Sequence, residues 1–591
     1  MALPRFRVHR RRSNDRLVGE LAALGHDSPC VRIHPHDPHL ILSAPGERAT
    51  CSRESARLLT RRFLRGAAMM HVLLILCLTV SSVWTAPTTT DSGPVIVLSH
   101  GSIQGKYVTV KGSDKVVEQY LSIPFAQPPV GPLRLAAPQP IQPWEGVRDG
   151  TQHPNKCLQD PDVGKSVAEI LSLNYIHTST VSEDCLYLNV YTPSQRSASE
   201  KLPVMVWIHG GGLTIGAAVE NDGSVLAAYE NIIVVIIQYR LGIMGFFSTG
   251  DEHAKGNWGF LDQIAALQWV QQNIENFGGD PHSVTIAGNS AGAISSSILT
   301  LSPLAKGLFH RAIFQSGTAA LGDYTTNDPT LFSKMVANVT ECDSSSSEIL
   351  VKCLKEMTEE DIIKATKKQK IFLGATVDGE LLTDVAENIL KSKDFEKVPV
   401  LLGVTNHEFG WILPLVSGEN DLILDEYLKH AQSPEDIRDA LTYMAGDRFM
   451  VLPVLKVADY HRDAGAKVYM YEFQHRPNVF EDKRPSFVKA DHADEVGYVF
   501  GACFWNGHVK VLGTITEEEN QLCKTIMRYW ANFVRTGSPN GPGLVNWPLY
   551  DTSNKYLALG LKQTEAQGLK QDKMHFFNVE LPQKLATQST A

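Results

Sequence analysis

Ser283-Val284-Thr285-Ile286-Ala287-Gly288-Asn289-Ser290-Ala291-Gly292 is the stretch that decides how this chain is read. A short run rich in β-branched and apolar residues ends on a glycine, and a serine then sits between two glycines. A strand-to-helix turn of this kind holds its serine in a strained, exposed position suited to a nucleophile. By itself G-x-S-x-G recurs by chance and can mark an ordinary glycine-flanked turn. His209-Gly210-Gly211-Gly212, some eighty residues upstream, shifts the balance. It too ends an apolar strand, and a glycine loop there offers the backbone N–H groups that an acyl-transfer serine needs.

Working outward, buried-strand runs recur at Leu202 to Ile208, Ile232 to Gln238, Ser283 to Ala287, Pro399 to Val404 and Lys467 to Phe473. Helical patterns separate several of them, most clearly Phe260 to Val270, where apolar residues recur every three or four positions. Nearly continuous apolar strands indicate an α/β fold, a mostly parallel sheet covered by helices on both faces. Ligands gather beyond the carboxyl ends of such strands. Ser290 and the His209 to Gly212 loop both sit at such ends.

A serine hydroxyl needs a base, normally histidine, oriented by a carboxylate. On such a sheet the expected chain order is Ser, acid, His. Thr405-Asn406-His407-Glu408-Phe409-Gly410 follows the strand Pro399 to Val404, which favours Glu408 over Glu380 in the turn-like Val377-Asp378-Gly379-Glu380. The downstream histidines are His430, His461, His475, His492, His508 and His575. His492 lies in the polar turn Lys489-Ala490-Asp491-His492-Ala493-Asp494-Glu495, whose acidic residues favour an imidazolium. His461 reads as a helix-surface residue and His475 as a strand-end residue beside Arg476.

The 591 residues carry a formal net charge of -9, which argues against nucleic acid as a partner and gives no reason to expect an anionic membrane surface. No long linker, repeat or low-complexity block interrupts residues 94 to 580, so a single catalytic domain over 87–591 is expected. Residues 1–68 are an Arg-rich extension without lysine, the first lysine being Lys106. Met69-Met70-His71 and the apolar run Val72 to Val80 then read as a secretory signal over 69–86. The extension is an upstream segment outside the native product or, alternatively, an Arg-rich transit leader.

Six of the nine cysteines lie in the body of the chain. Pairing of sequence neighbours joins Cys157 to Cys185 and Cys342 to Cys353, leaving Cys503 and Cys523 free. Asn338-Val339-Thr340 is a glycosylation sequon. No C-x-x-C or H-E-x-x-H pattern suggests zinc, and the chemistry needs neither cofactor nor metal.

Glu183-Asp184-Cys185-Leu186-Tyr187-Leu188-Asn189-Val190-Tyr191 resembles the second signature of the type-B carboxylesterase/cholinesterase family, and Phe277-Gly278-Gly279-Asp280-Pro281 with the serine turn resembles its first. Gln238 to Gly242, Gly256 to Gly259 and Asp491 to Glu495 match as well. The resemblance spans about 94 to 580 and looks most like the vertebrate liver/intestinal carboxylesterase branch. It implies an α/β-hydrolase fold, a Ser290–Glu408–His492 triad and an oxyanion hole of the Gly211, Gly212 and Ala291 amides. It also implies the two disulfides named above.

The resemblance and the motifs together predict a secreted serine carboxylesterase acting through an acyl-enzyme on small-molecule substrates, namely neutral, rather apolar carboxylic esters, with amides and thioesters open to the same chemistry. A non-catalytic adhesion protein on this fold, or a cholinesterase or bile-salt-type lipase, are the alternatives. Cholinesterases hold choline with a tryptophan in the first disulfide loop, and Cys157 to Cys185 contains none. The chain ends Gln588-Ser589-Thr590-Ala591 rather than in a His-x-Glu-Leu retention signal, so secretion is expected over residence in the endoplasmic reticulum. One departure stands out. The family usually carries Glu immediately before the serine, where this chain has Asn289. Loss of that charge beside the imidazole is expected to alter pH dependence or substrate preference.

Overall fold

Eleven strands, numbered here along the chain, make the central sheet: β1 Lys106–Thr109, β2 Val116–Pro124, β3 Tyr187–Pro193, β4 Leu202–Ile208, β5 Ile233–Ile237, β6 Gly279–Asn289, β7 Arg311–Gln315, β8 Val400–Thr405, β9 Val468–Phe473, β10 Lys555–Leu559 and β11 Thr564–Gln567. They come from a computed structural model that describes residues 93–589 apart from 176–179, 198, 369–372 and 411–420. The extension 1–68 and the signal 69–86 expected from the sequence lie outside the described residues. The spatial order is β11-β10-β9-β8-β7-β6-β4-β5-β3-β2-β1. Neighbours from β10 through β5 pair in parallel, and antiparallel strands close both margins.

Both faces of the sheet are buried, which is why its inner strands read as unbroken apolar runs. Along β4, Val204, Val206 and Ile208 pack in one layer with Phe260, Ile264 and Leu267 of helix α1 (Trp258–Asn273) and Ile294 and Ile298 of α2 (Ala291–Leu301). The alternate residues Met205 and Trp207 enter the opposite layer with Ile526, Met527, Trp530 and Phe533 of a later helix. The same layer as α1 and α2 takes in Val454, Val457 and Ala458 of α3 (Leu452–Asp463). The helix on the other face, α4 (Glu517–Thr536), starts at a capping box of Thr516 and Glu519 and stops at Gly537 in the left-handed region.

Three disulfides are present among the described residues: Cys157–Cys185, Cys342–Cys353 and Cys503–Cys523. The third corrects the expectation that Cys503 and Cys523 stay free. Cys503 lies in the turn Ala502–Phe504, separated from α4 by the short strand Val509–Val511, and Cys523 occupies the buried stripe of that helix beside Leu522 and Ile526. Chain reversal between turn and helix brings the two Cα atoms to 6.6 Å.

His461 is the second correction. It is fully buried rather than on a helix surface, packed between Phe314 and Phe395. Val454, Val457, Ala458 and His461 follow one another at helical spacing, so the histidine belongs to the inward stripe of α3 despite its polar neighbours Arg462 and Asp463.

Candidate active site

Ser290 occupies the sharp turn between β6 and α2, with φ 56° and ψ -126°, a conformation costly for any residue but glycine. Its flanking glycines make room for the turn. A Cβ on Gly292 would stand 2.0 Å from Ile208 O, and one on Gly288 2.3 Å from Gly292 C. The first turn of α2 is thereby pressed against the end of β4, and Ser290 N donates to Gln315 O at 2.8 Å.

The His209 to Gly212 loop leaves the end of β4 beside it. A Cβ on Gly210 would lie 3.2 Å from Ser290 Cβ, so the two turns are in contact. Gly211 and Gly212 take φ values of 104° and 62°, which turns the peptide planes of the loop. Tyr239 stacks on the His209 ring and donates its hydroxyl to His209 O at 2.8 Å. Gln159 clamps the far side, accepting from Gly216 N and donating to Gly216 O. Among the described residues the N–H groups of Gly211, Gly212 and Ala291 have no acceptor. Burial holds His209 neutral, with its pKa lowered to about 4.

Glu408 follows β8 and is 2% exposed. Its Oε1 accepts from Thr405 N at 2.7 Å and Ser316 Oγ at 2.6 Å, and its Oε2 lies 2.6 Å from His492 Nδ1. His492 is carried by a loop that the acid loop braces. Asp491 Oδ1 accepts from His492 N at 2.9 Å and from Gly410 N at 3.2 Å. Below it, Arg484 reaches both carboxylate oxygens of Asp494, and Asp494 accepts from Asp491 N. Burial opposes a charged imidazole at His492. The hydrogen bond and charge of Glu408, with the charges of Glu495 and Asp491, outweigh it and raise its pKa above the ordinary value.

The structure thus joins Glu408 to His492 and sets Ser290 against the glycine loop. It does not bring the rejected candidates there. Glu380 is exposed and pairs with Lys255. His475 binds Glu519, His508 approaches Asp222, and His430 and His575 are exposed. Ser316, Gln315 and Glu495 also line the constellation. Only Glu495 belongs to a stretch that matches the family, and no sequence signal marked the other two. Asn338, the sequon residue, is exposed on the helix Thr330–Thr340.

The sequence profile of the Carboxylesterase family matches residues 92–423 and 417–577. This chain belongs to that family. The carboxylesterase is 47% identical over 517 residues to a duck medium-chain fatty acyl-CoA hydrolase precursor, covering 82% of this chain and 92% of that one. It is 45% identical over 541 residues to dog carboxylesterase 5A, covering 86% and 94%. It is 43% identical over 558 residues to pig liver carboxylesterase, covering 87% and 97%. The fold is that of an α/β-hydrolase, and the protein is a carboxylic ester hydrolase acting on small-molecule esters. The adhesion-protein alternative has no counterpart among these relatives.

Proposed function

We propose that Ser290, His492 and Glu408 are the nucleophile, base and orienting acid of this carboxylesterase, with the Gly211, Gly212 and Ala291 amides as its oxyanion hole. The reading rests above all on the 2.6 Å contact between His492 Nδ1 and Glu408 Oε2, which commits that nitrogen and leaves Nε2 to act as base. His492 Nε2 takes the proton of Ser290 Oγ as Oγ bonds to the ester carbonyl carbon. The three amides receive the negative charge that develops on the carbonyl oxygen; one such donor is worth roughly 10²–10³ in rate. Collapse breaks the bond to the alcohol oxygen, which leaves with the proton from His492. Water, deprotonated by the same nitrogen, then releases the acid and restores Ser290.

Neutral, fairly apolar esters suit this site, because the segment from Cys157 to Cys185 has no tryptophan to hold a quaternary ammonium. The disulfides support passage through an oxidising secretory compartment, and export as a glycoprotein carrying sugar on the exposed Asn338 fits the same route. A single catalytic domain over 87–591, preceded by a removable signal at 69–86, completes the reading. The test is turnover of a p-nitrophenyl ester series with organophosphate labelling of the protein. Label on Ser290, and loss of both label and turnover in Ser290→Ala, are expected; full turnover by Ser290→Ala would refute the triad.

A further inference from the structure

Behind His492 stands a second buried carboxyl for which the triad has no use. Glu495 is fully buried. Its Oε1 is approached by Gln315 Nε2 at 3.0 Å, Asn289 Nδ2 at 3.3 Å and Tyr471 OH at 3.3 Å. Its Oε2 has no partner among the described residues. All three donors are neutral and come from three different strands, the ends of β6 and β7 and the middle of β9.

The two amides are fixed in the donating sense. Trp530 Nε1 can only donate, and it donates to Gln315 Oε1 at 2.9 Å, which turns Gln315 Nε2 toward Glu495. Asn289 Nδ2 lies between two acceptors, Gln315 O and Glu495 Oε1, both at 3.3 Å, so its nitrogen rather than its oxygen must face them. A carboxylate at position 289 would set an acceptor against these two acceptors. It could stay only by holding a proton, shared with Glu495. An amide donates without that proton.

We propose that Glu495 is a positioning residue acting on the reaction through His492, and that the Asn289 amide, by donating to its carboxylate, favours the ionised form, so that this pair sets the acid limit of the esterase. The proposal rests on the reading of His492 as the base. The charged and titratable groups facing this region are Glu408 from the loop after β8, Asp491 beside His492, and Tyr471 from β9. Asp494 is paired with Arg484. Burial and the charge of Glu408 push the Glu495 carboxyl upward, while the Gln315 hydrogen bond opposes this. With Glu408 already saturated by Thr405 N, Ser316 and His492, Glu495 is the adjustable charge of the site.

The test is the pH profile of kcat/KM for wild type, Glu495→Gln, Asn289→Leu and the double variant. An ionised Glu495 favours the imidazolium, so Glu495→Gln should move the acid limb to lower pH by about one unit, as expected when a neighbouring charge is removed from a buried site. Asn289→Leu removes a donor from the carboxylate and should move the limb the same way by less. In the double variant the Asn289 change should add nothing, because its effect runs through Glu495. A Glu495→Gln limb superimposed on wild type overturns the proposal, as does an Asn289→Leu shift that persists unchanged in the double variant. A uniform loss of rate at every pH, with a lower Tm and no shift, also overturns it. Where Glu495→Gln does not accumulate, an unmoved limb in Asn289→Leu decides against it. Turnover in Ser290→Ala would refute the triad itself and so separates the two failures.

Discussion

Ser316 Oγ donates to Glu408 Oε1 at 2.6 Å, tying the residue just past β7 to the carboxylate just past β8. The two strands are parallel neighbours, so the bond spans 92 residues of sequence but only one step of the sheet. Two donors on Oε1 fix the plane of Glu408 and leave Oε2 directed at His492.

Replacing Ser316 by alanine leaves Thr405 N as the remaining donor to Oε1. A hydrogen bond to a charged group contributes about 1.5–3 kcal/mol, part of which is lost as looser orientation of His492. We expect kcat to fall roughly 10-fold with KM near wild type. Steady-state kinetics on one p-nitrophenyl ester measures it, and an unchanged kcat counts against this role for Ser316.

Among the described residues, burial favours the neutral form of His209, His461 and His407. Burial lowers His209 and His461 to about 4, and burial with the nearby Lys489 charge does the same to His407, against an ordinary value of 6.5. Between those values the unfolded chain binds more protons than the folded one. The stability they contribute is therefore complete above about pH 6.5 and is lost as pH falls toward about 4. Thermal melts should show Tm dropping across that interval. His461→Leu, which removes two ring nitrogens that have no hydrogen-bond partner among the described residues, should retain more of its pH 7 Tm at pH 4.5.

Gly292→Ala places a Cβ 2.0 Å from Ile208 O, and the obstacle is backbone that cannot rotate away. The turn at Ser290 must then separate from β4. A loss of at least about 3 kcal/mol is expected, at the upper end for overpacking, together with loss of esterase activity. Denaturant melts and turnover check it; a variant with wild-type stability would show that this close approach is not required.

Cys523→Ser opens a loop whose ends are 20 residues apart. A crosslink of that span contributes about 2–4 kcal/mol through the unfolded state. We expect a lower Tm without dithiothreitol, and no further drop in the variant when the reductant leaves the other two disulfides intact. Peptide mapping under non-reducing conditions shows the Cys503–Cys523 link directly.

Much of the fold was legible in the sequence because a sheet buried on both faces writes itself as unbroken apolar runs. The five strands read from the sequence correspond to β4, β5, β6, β8 and β9, and the helical pattern at Phe260 to Val270 lies within α1. The four-residue margin strands β1 and β11 were not legible, being brief and poorly buried, and the longer, largely buried β2 and β3 were missed because the polar residues Glu118, Gln119, Asn189 and Thr192 interrupt their apolar runs. His461 misled because its neighbours Arg462 and Asp463 are polar. The inward spacing from Val454 was the better guide. Cys503 and Cys523 were left unpaired, although the same neighbour rule extends to a separation that lies between those of the other two bridges.

Within Gly288 to Gly292, the sequence alone determined the turn, since only glycines admit the approach of α2 to β4 and only a strand end presents Ser290. It also determined that Asn289 is an amide where the family resemblance leads one to expect Glu. What that amide does was decided by the tertiary structure. Asn289 and Glu495 are 206 residues apart in sequence, and their contact exists because β6 and β7 lie side by side with the His492 loop folded over their ends. Hydrophobic periodicity records which face of an element is buried. It carries no record of which polar side chains meet where strands end, because that depends on strand order and on chain segments hundreds of residues away.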